Sequence, residues 1–151
     1  MVGGGPAQAE DNMRFYGTLI APLPCIINGG QVIEVNFGDD LVTSRIDGRN
    51  YRKDIEYTLD CRNAGANTVQ MQIQGTGASF DGKVLATLER TDLGIALKTD
   101  DGPSNFLNIN TWLKIQFGTT PRLGAVPVKA EGSQLQPGSF SAGATMLIEY
   151  Q

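Results

Sequence analysis

The feature that most constrains this chain is a two-residue rhythm. In Val69-Gln70-Met71-Gln72-Ile73-Gln74 every apolar side chain falls on one face of an extended backbone and every glutamine on the other, because successive side chains of a strand point to opposite sides. A helix would scatter the same residues around its axis. The rhythm recurs in Ile33-Val35-Phe37, in Ile55-Tyr57-Leu59-Cys61, in Leu93-Ile95-Leu97, in Leu113-Ile115-Phe117, in Val126-Val128-Ala130, and over the longest run, Phe140 to Tyr150. Turn signals separate these runs: Asn28-Gly29-Gly30, Asp47-Gly48, Asp81-Gly82, Asp101-Gly102-Pro103 and Pro137-Gly138. About seven short strands at such spacing predict an all-β sandwich or barrel. Only Lys83 to Leu88 reads as a short helical turn. With no internal repeat and no linker, 151 residues predict one domain.

Composition narrows the chemistry. Histidine is absent, which removes the commonest general base, the usual partner of a Ser or Cys nucleophile, and the commonest transition-metal ligand. Twelve Lys plus Arg against 16 Asp plus Glu give a net charge of −4, and no basic stripe suited to tracking phosphates is present. The densest basic stretch, Arg45, Arg49, Arg52 and Lys53, is interrupted by Asp47 and followed by Asp54 and Glu56, as on an ordinary solvated face. No run approaches the ~18 apolar residues of a membrane helix. Ala7-Gln8-Ala9 has the A-x-A form of a signal-peptidase site without an apolar stretch before it, so residues 1–9 read either as the tail of a secretion signal or as a flexible leader.

Other motifs give way to plainer readings. Asp39-Asp40, Asp100-Asp101 and the nearby Asp92 sit beside turn residues and need not converge, which makes them solvated turns rather than a metal or glycosidase site. Gly75-Thr76-Gly77 is half of a phosphate loop, lacking the third glycine and the helix. Trp112, Tyr16, Tyr51, Tyr57 and Tyr150 are candidates for a sugar-stacking platform, but packing is the commoner role of strand aromatics. Cys25 and Cys61 form no CxxC motif and are either two buried thiols or one disulfide. Composition and spacing alone reach a secreted, non-enzymatic β-sandwich.

The order of landmarks is more specific. Phe15-Tyr16-Gly17-Thr18-Leu19, Pro24-Cys25, Val35-Asn36-Phe37-Gly38, Ile46-Asp47-Gly48, Tyr57-Thr58-Leu59-Asp60-Cys61, Leu93-Gly94-Ile95-Ala96-Leu97 and Gly138-Ser139-Phe140-Ser141-Ala142 follow one another as in a pilin. The chain resembles, from end to end, a chaperone-usher fimbrial subunit of the type 1 or P-pilus kind. Such subunits carry a penultimate aromatic and a glycine fourteenth from the end, and Tyr150 and Gly138 match both.

The resemblance implies an incomplete immunoglobulin-like β-sandwich that lacks its final strand. A periplasmic chaperone would fill the resulting apolar groove first, and the N-terminal extension of a neighbouring pilin subunit would replace it as an outer-membrane usher builds the fibre. The two-cysteine count, the spacing and the secretory signature point to a Cys25–Cys61 disulfide, and neither a cofactor nor a metal is expected. Residues 10–20 are expected to form the extension, with Met13, Phe15, Gly17 and Leu19 on the inserting face and Asp11 at the next position outward, where an apolar or small residue is commoner. Residues 21–151 then form the pilin domain. Its groove and chaperone-docking edge is expected along Gly138, Phe140, Ala142, Ala144, Met146, Ile148 and Tyr150, with the Gln151 carboxylate held by basic chaperone residues. Extracellular fimbriae reached through a Gram-negative periplasm are the expected location, and a minor or adaptor subunit the expected role. The alternatives are a single-domain carbohydrate-binding protein, which would have a complete sheet, and a terminator that caps fibre growth.

Overall fold

Apolar alternation becomes hydrogen-bonded sheet only where a second strand lies within reach, and the chain divides on that condition. A computed structural model describes residues 9–20, 24–64, 68–99, 105–116 and 119–151. The paired segments are β1 (Ile26–Ile27), β2 (Lys53–Ile55), β3 (Leu59–Asp60), β4 (Val69–Gln74), β5 (Gly77–Ala78), β6 (Asp81–Ala86), β7 (Leu93–Lys98), β8 (Phe106–Leu107), β9 (Trp112–Ile115), β10 (Leu123–Lys129) and β11 (Thr145–Tyr150). Among the described residues there is no α-helix, only three short 3-10 turns. Phe117, Asp100, Asp101, Ala7 and Gln8 lie outside the described residues.

All pairings are antiparallel. One sheet runs β2-β10-β7-β6-β5, with β8 extending the β6 edge of β7, while a second runs β11-β4-β9 and β1 pairs with β3. The inward faces of the two larger sheets meet in a single core, where Met71, Ile73, Leu85, Ile95, Leu97 and Leu123 are buried together. Met71 is 0% exposed. A smaller apolar cluster, Ala78, Val84, Ala96 and Val126, covers the opposite face of the first sheet. That second layer explains one departure from expectation: β7 is buried at all six positions rather than at alternate ones, and its outer face carries the small Gly94 and Ala96 together with a buried Lys98.

Four further expectations are corrected. Lys83 to Leu88 is not helical; most of it is strand β6, which pairs with β7 through Leu85–Ile95 and Ala86–Gly94. The run from Ile55 to Cys61 is not one strand but two: β2 joins β10, whereas β3 joins β1, so the chain leaves the larger sheet between residues 56 and 58. The C-terminal run is paired only from Thr145 onward, where Thr145–Tyr150 lies against Gln74–Val69. Ile33 to Phe37 shows the expected alternation of half-buried and exposed residues but forms no ladder.

The expected disulfide is present. Antiparallel pairing of Ile26 with Asp60 sets Cys25 opposite Cys61, and their sulfurs are bonded at 2.03 Å. The Asp47-Gly48 turn also forms as read: Asp47 Oδ1 accepts from the backbone N–H groups of Arg49 (2.9 Å) and Asn50 (2.8 Å). Those donors hold the Asp47 carboxyl below its ordinary range, and Gly48 takes the φ of +81° that a side chain would oppose.

Candidate functional site

The two unladdered alternating stretches face each other. Ile33 to Asp39 forms one wall of a groove and Leu135 to Ala144 the other, continued by Met146 at the start of the paired β11, with a cavity volume of about 1030 Å³ between them. Its floor is the sandwich core itself: Ile46, Ile55, Ile73, Leu85, Ile95, Leu97 and Ala125 all reach it. The walls meet at the Phe37 and Phe140 rings, which lie 5.9 Å apart and tilted by 44°. The groove is therefore a slot in the core, apolar at its base and bordered on both sides by extended backbone without a strand partner.

The expected groove residues separate along the C-terminal strand. Gly138, Phe140, Ala142, Ala144 and Met146 line the slot. Ile148 and Tyr150 do not; they pack half-buried against the core, opposite Met71 and Val69 of β4. Gln151 is exposed, and its N–H donates to Thr68 O at 3.0 Å. The opposite wall, Ile33, Val35 and Phe37, was read from sequence as an ordinary core strand. Its flanking turns, Asn28-Gly29-Gly30 and Gly38, give no local sign that the pairing partner is missing.

Residues 10–20 behave differently from every other alternating stretch. None of them is buried or laddered; Met13 is 78% exposed, Phe15 84% and Leu19 101%. A Cβ added at Gly17 would meet no atom within 4 Å. The segment thus presents its apolar side chains to solvent rather than to its own core, and apolar side chains so clustered call for a partner.

The aromatic residues do not converge on a sugar platform. Tyr57 is half-buried in the core margin, its hydroxyl donating to Pro121 O, and burial pushes its pKa up to about 12. Tyr51 donates no platform face either: its hydroxyl accepts from Val42 N–H at 3.0 Å. Tyr150 packs on the core, Tyr16 lies in the exposed segment beneath Arg14, and Trp112 stands on β9. Among the described residues no three metal-ligating side chains cluster, and no helix is long and apolar enough to cross a membrane.

Comparison with known proteins places this all-β sandwich among fimbrial subunits. The profile described as "Fimbrial protein" matches residues 13–151. The chain belongs to the fimbrial protein family. It is 40% identical over 132 residues to the fimbrial-like protein YfcR of Escherichia coli (strain K12), covering 87% of this chain and 75% of that one. Among solved structures it resembles the P pilus adaptor subunit PapF, at 27% identity and a TM-score of 0.61 over 85% of this chain and 96% of that one. The P pilus rod subunit PapA, at 23% identity, shares the fold with a TM-score of 0.66 over 85% of this chain and 99% of that one. The chain is thus a chaperone-usher fimbrial subunit with a pilin fold, belonging to a structural rather than enzymatic family whose members associate with other pilin subunits in extracellular pili.

Proposed function

We propose that the protein polymerises by donor-strand exchange, its groove accepting the extension of a neighbouring subunit while its own residues 10–20 complete the next. The observation that carries this reading is the pairing, in one chain, of an unfilled slot of about 1030 Å³ with an alternating apolar segment that its own core leaves exposed. Edge backbone supplies main-chain hydrogen bonds to an added strand, and pockets at every second residue select its side chains. Before exchange, a periplasmic chaperone holds the groove through the edge from Gly138 to Tyr150, and an outer-membrane usher directs assembly. A complete sheet, as a free-standing sugar-binding domain would have, fits neither feature.

Within the fibre, a minor or adaptor place is favoured. A similar protein, PapF, is described as an adaptor subunit, and a subunit that carries both groove and extension can join two others.

The test is at Gly17. Glycine on the inserting face lets the donor backbone approach closely, and in this chain nothing surrounds it. Replacing Gly17 with Leu should leave the fold and the chaperone complex intact but stop fibres from extending past this subunit. Fibres that still extend, or a subunit that no longer folds, would overturn the donor role.

A further inference from the structure

The groove wall from Leu135 to Ser141 has no ladder, yet it is held in place, and what holds it is one loop fifty residues earlier. The turn between β6 and β7 reaches it from three residues, Leu88, Glu89 and Arg90, and Asp92 ties down the chain just before it. Leu88 N–H donates to Ser141 O at 2.9 Å. Glu89 Oε1 accepts from Ser141 N–H at 2.7 Å, and Oε2 accepts from the Ser141 hydroxyl at 2.8 Å. The Arg90 guanidinium donates from Nε to Gln136 O at 3.1 Å and from Nη2 to Pro137 O at 2.6 Å. Asp92 accepts from the Ser133 hydroxyl, and Asp92 O from Ala130 N–H at 2.9 Å. The loop itself is braced from beneath: the buried Thr87 hydroxyl lies 2.7 Å from Arg90 O and 3.0 Å from Leu93 O.

Gly138 gains a local reason from this arrangement. Its φ is +142°, and a Cβ built there would overlap Arg90 Nη2. The glycine leaves the space through which the guanidinium crosses to the Pro137 carbonyl. Arg90 also lines the groove, whereas Glu89 does not, so the clasp touches the slot at one residue and fixes its wall through the others.

We propose that Glu89 and Arg90 are positioning residues that clamp the Leu135–Ser141 wall, and that this clamp sets how firmly the groove retains an inserted strand. This rests on the donor-strand reading above. Two side chains from a tight, braced loop hold the carbonyls of Gln136 and Pro137 and both polar groups of Ser141, leaving the wall pre-shaped without a neighbouring strand. An inserted strand then finds one edge already in register rather than having to order it, and ordering costs are what weaken the binding of unshaped segments.

The experiment uses the full chain with its disulfide intact and a fluorescein-labelled peptide of residues 10–20, with uptake and release followed by anisotropy. Three variants are compared with the parent: Glu89→Gln, which keeps one acceptor for Ser141, Arg90→Ala, and Arg90→Lys, which keeps the charge but not the fork that spans two carbonyls. Release from Arg90→Ala should be faster by about tenfold, with Arg90→Lys and Glu89→Gln between it and the parent. Amide hydrogen exchange at Gln136 to Ser141 should quicken in the same order, while the unfolding midpoint of the peptide-free chain falls only slightly. If Arg90→Ala does not fold, the two milder variants decide. Unchanged release and exchange in chains that take up the peptide would overturn the clamp alone. Failure of the parent chain to take up the peptide would overturn the donor-strand reading and the clamp with it.

Discussion

Val69 to Gln74 and Met13 to Leu19 carry the same sequence rhythm and have opposite fates. The first is strand β4, paired on one side with β11 and on the other with β9, with Met71 sealed at 0% exposure. The second is laddered to nothing, and Phe15 is 84% exposed. Between these extremes lies Ile33 to Phe37, half-buried at alternate residues but without a strand beside it. Alternation therefore reports which face of a strand is apolar, not whether its backbone edges are filled or by which molecule. In this protein the unfilled edges are grouped along one slot, and the exposed alternating segment 13–19 does not occupy it.

The sharpest break of that comparison is to truncate one apolar side chain in each region. Met71→Ala empties a site with no exposure and should destabilise the subunit by ~2–5 kcal/mol in urea unfolding. Phe15→Ala should shift the same midpoint by no more than about 0.5 kcal/mol, because its side chain touches no core, while lowering incorporation into fibres. If Phe15→Ala proved as destabilising as Met71→Ala, residues 10–20 would be filling this chain's own groove in solution.

The disulfide tests the intermediate region. Cys25 and Cys61 are 36 positions apart, and the loop they close contains the unladdered wall from Ile33 to Phe37. With few hydrogen bonds of its own, that wall depends on the closure of the loop. Replacing both cysteines with Ala should cost roughly 3 to 4 kcal/mol on the chain-entropy estimate. Hydrogen exchange should rise more along Ile33 to Phe37 than along β4; an even rise across both would show that the bridge serves the core as a whole.

Gly138→Ala acts on the far wall and should cost about 1–3 kcal/mol, the range for a side chain forced into a sparsely populated backbone region. Gly143, on the same wall, has no atom within 4 Å of an added Cβ and no unusual φ. Gly143→Ala should therefore leave the unfolding midpoint nearly unchanged, and an equal loss at both positions would remove the special place of Gly138.

The sequence revealed faces better than neighbours. Ile55, Val69, Met71, Ile73, Ile95 and Leu97 have their side chains in the main core as the alternation implies, whereas Val126 and Val128 face the second apolar cluster on the outer side of the first sheet; the Asp47-Gly48 turn and the Cys25–Cys61 bond form as expected. Gly138, Phe140, Ala142, Ala144 and Met146 border the slot of about 1030 Å³, and their role at a strand-accepting edge belongs to the proposed function. What stayed hidden depends on partners distant in the chain. Ile55 to Cys61 alternates without interruption, yet β2 and β3 join different strands. Lys83 to Leu88 has little alternation because β6 is covered on its outer face by the second apolar cluster. The Glu89–Ser141 and Arg90–Pro137 contacts span 52 and 47 positions, and no local pattern announces a charged side chain whose partners are backbone groups that far along.

The smallest expected effect is electrostatic and bears on the wall alone. Hydrogen bonding from the Ser141 hydroxyl, helped by the Ser141 N–H, holds the Glu89 carboxyl below its ordinary 4.5. A carboxyl lowered in the folded state adds stability that is fully present above its unfolded pKa and is lost as pH falls through the folded one. Glu89→Gln should thus be slightly less stable than the parent at pH 7, and the gap should close as the pH falls through the lowered pKa of the Glu89 carboxyl. The comparison must be a difference between the two chains, because Asp54 and Asp60, lowered chiefly by hydrogen bonds from Arg52 and Arg62, lose stabilisation over the same acid range. The local readout is the Ser141 amide resonance, which should titrate in the parent with a midpoint under 4.5 and stay flat in Glu89→Gln. A Ser141 amide that does not move with pH in the parent chain would mean that the carboxylate does not hold this wall, leaving Arg90 as its only charged support.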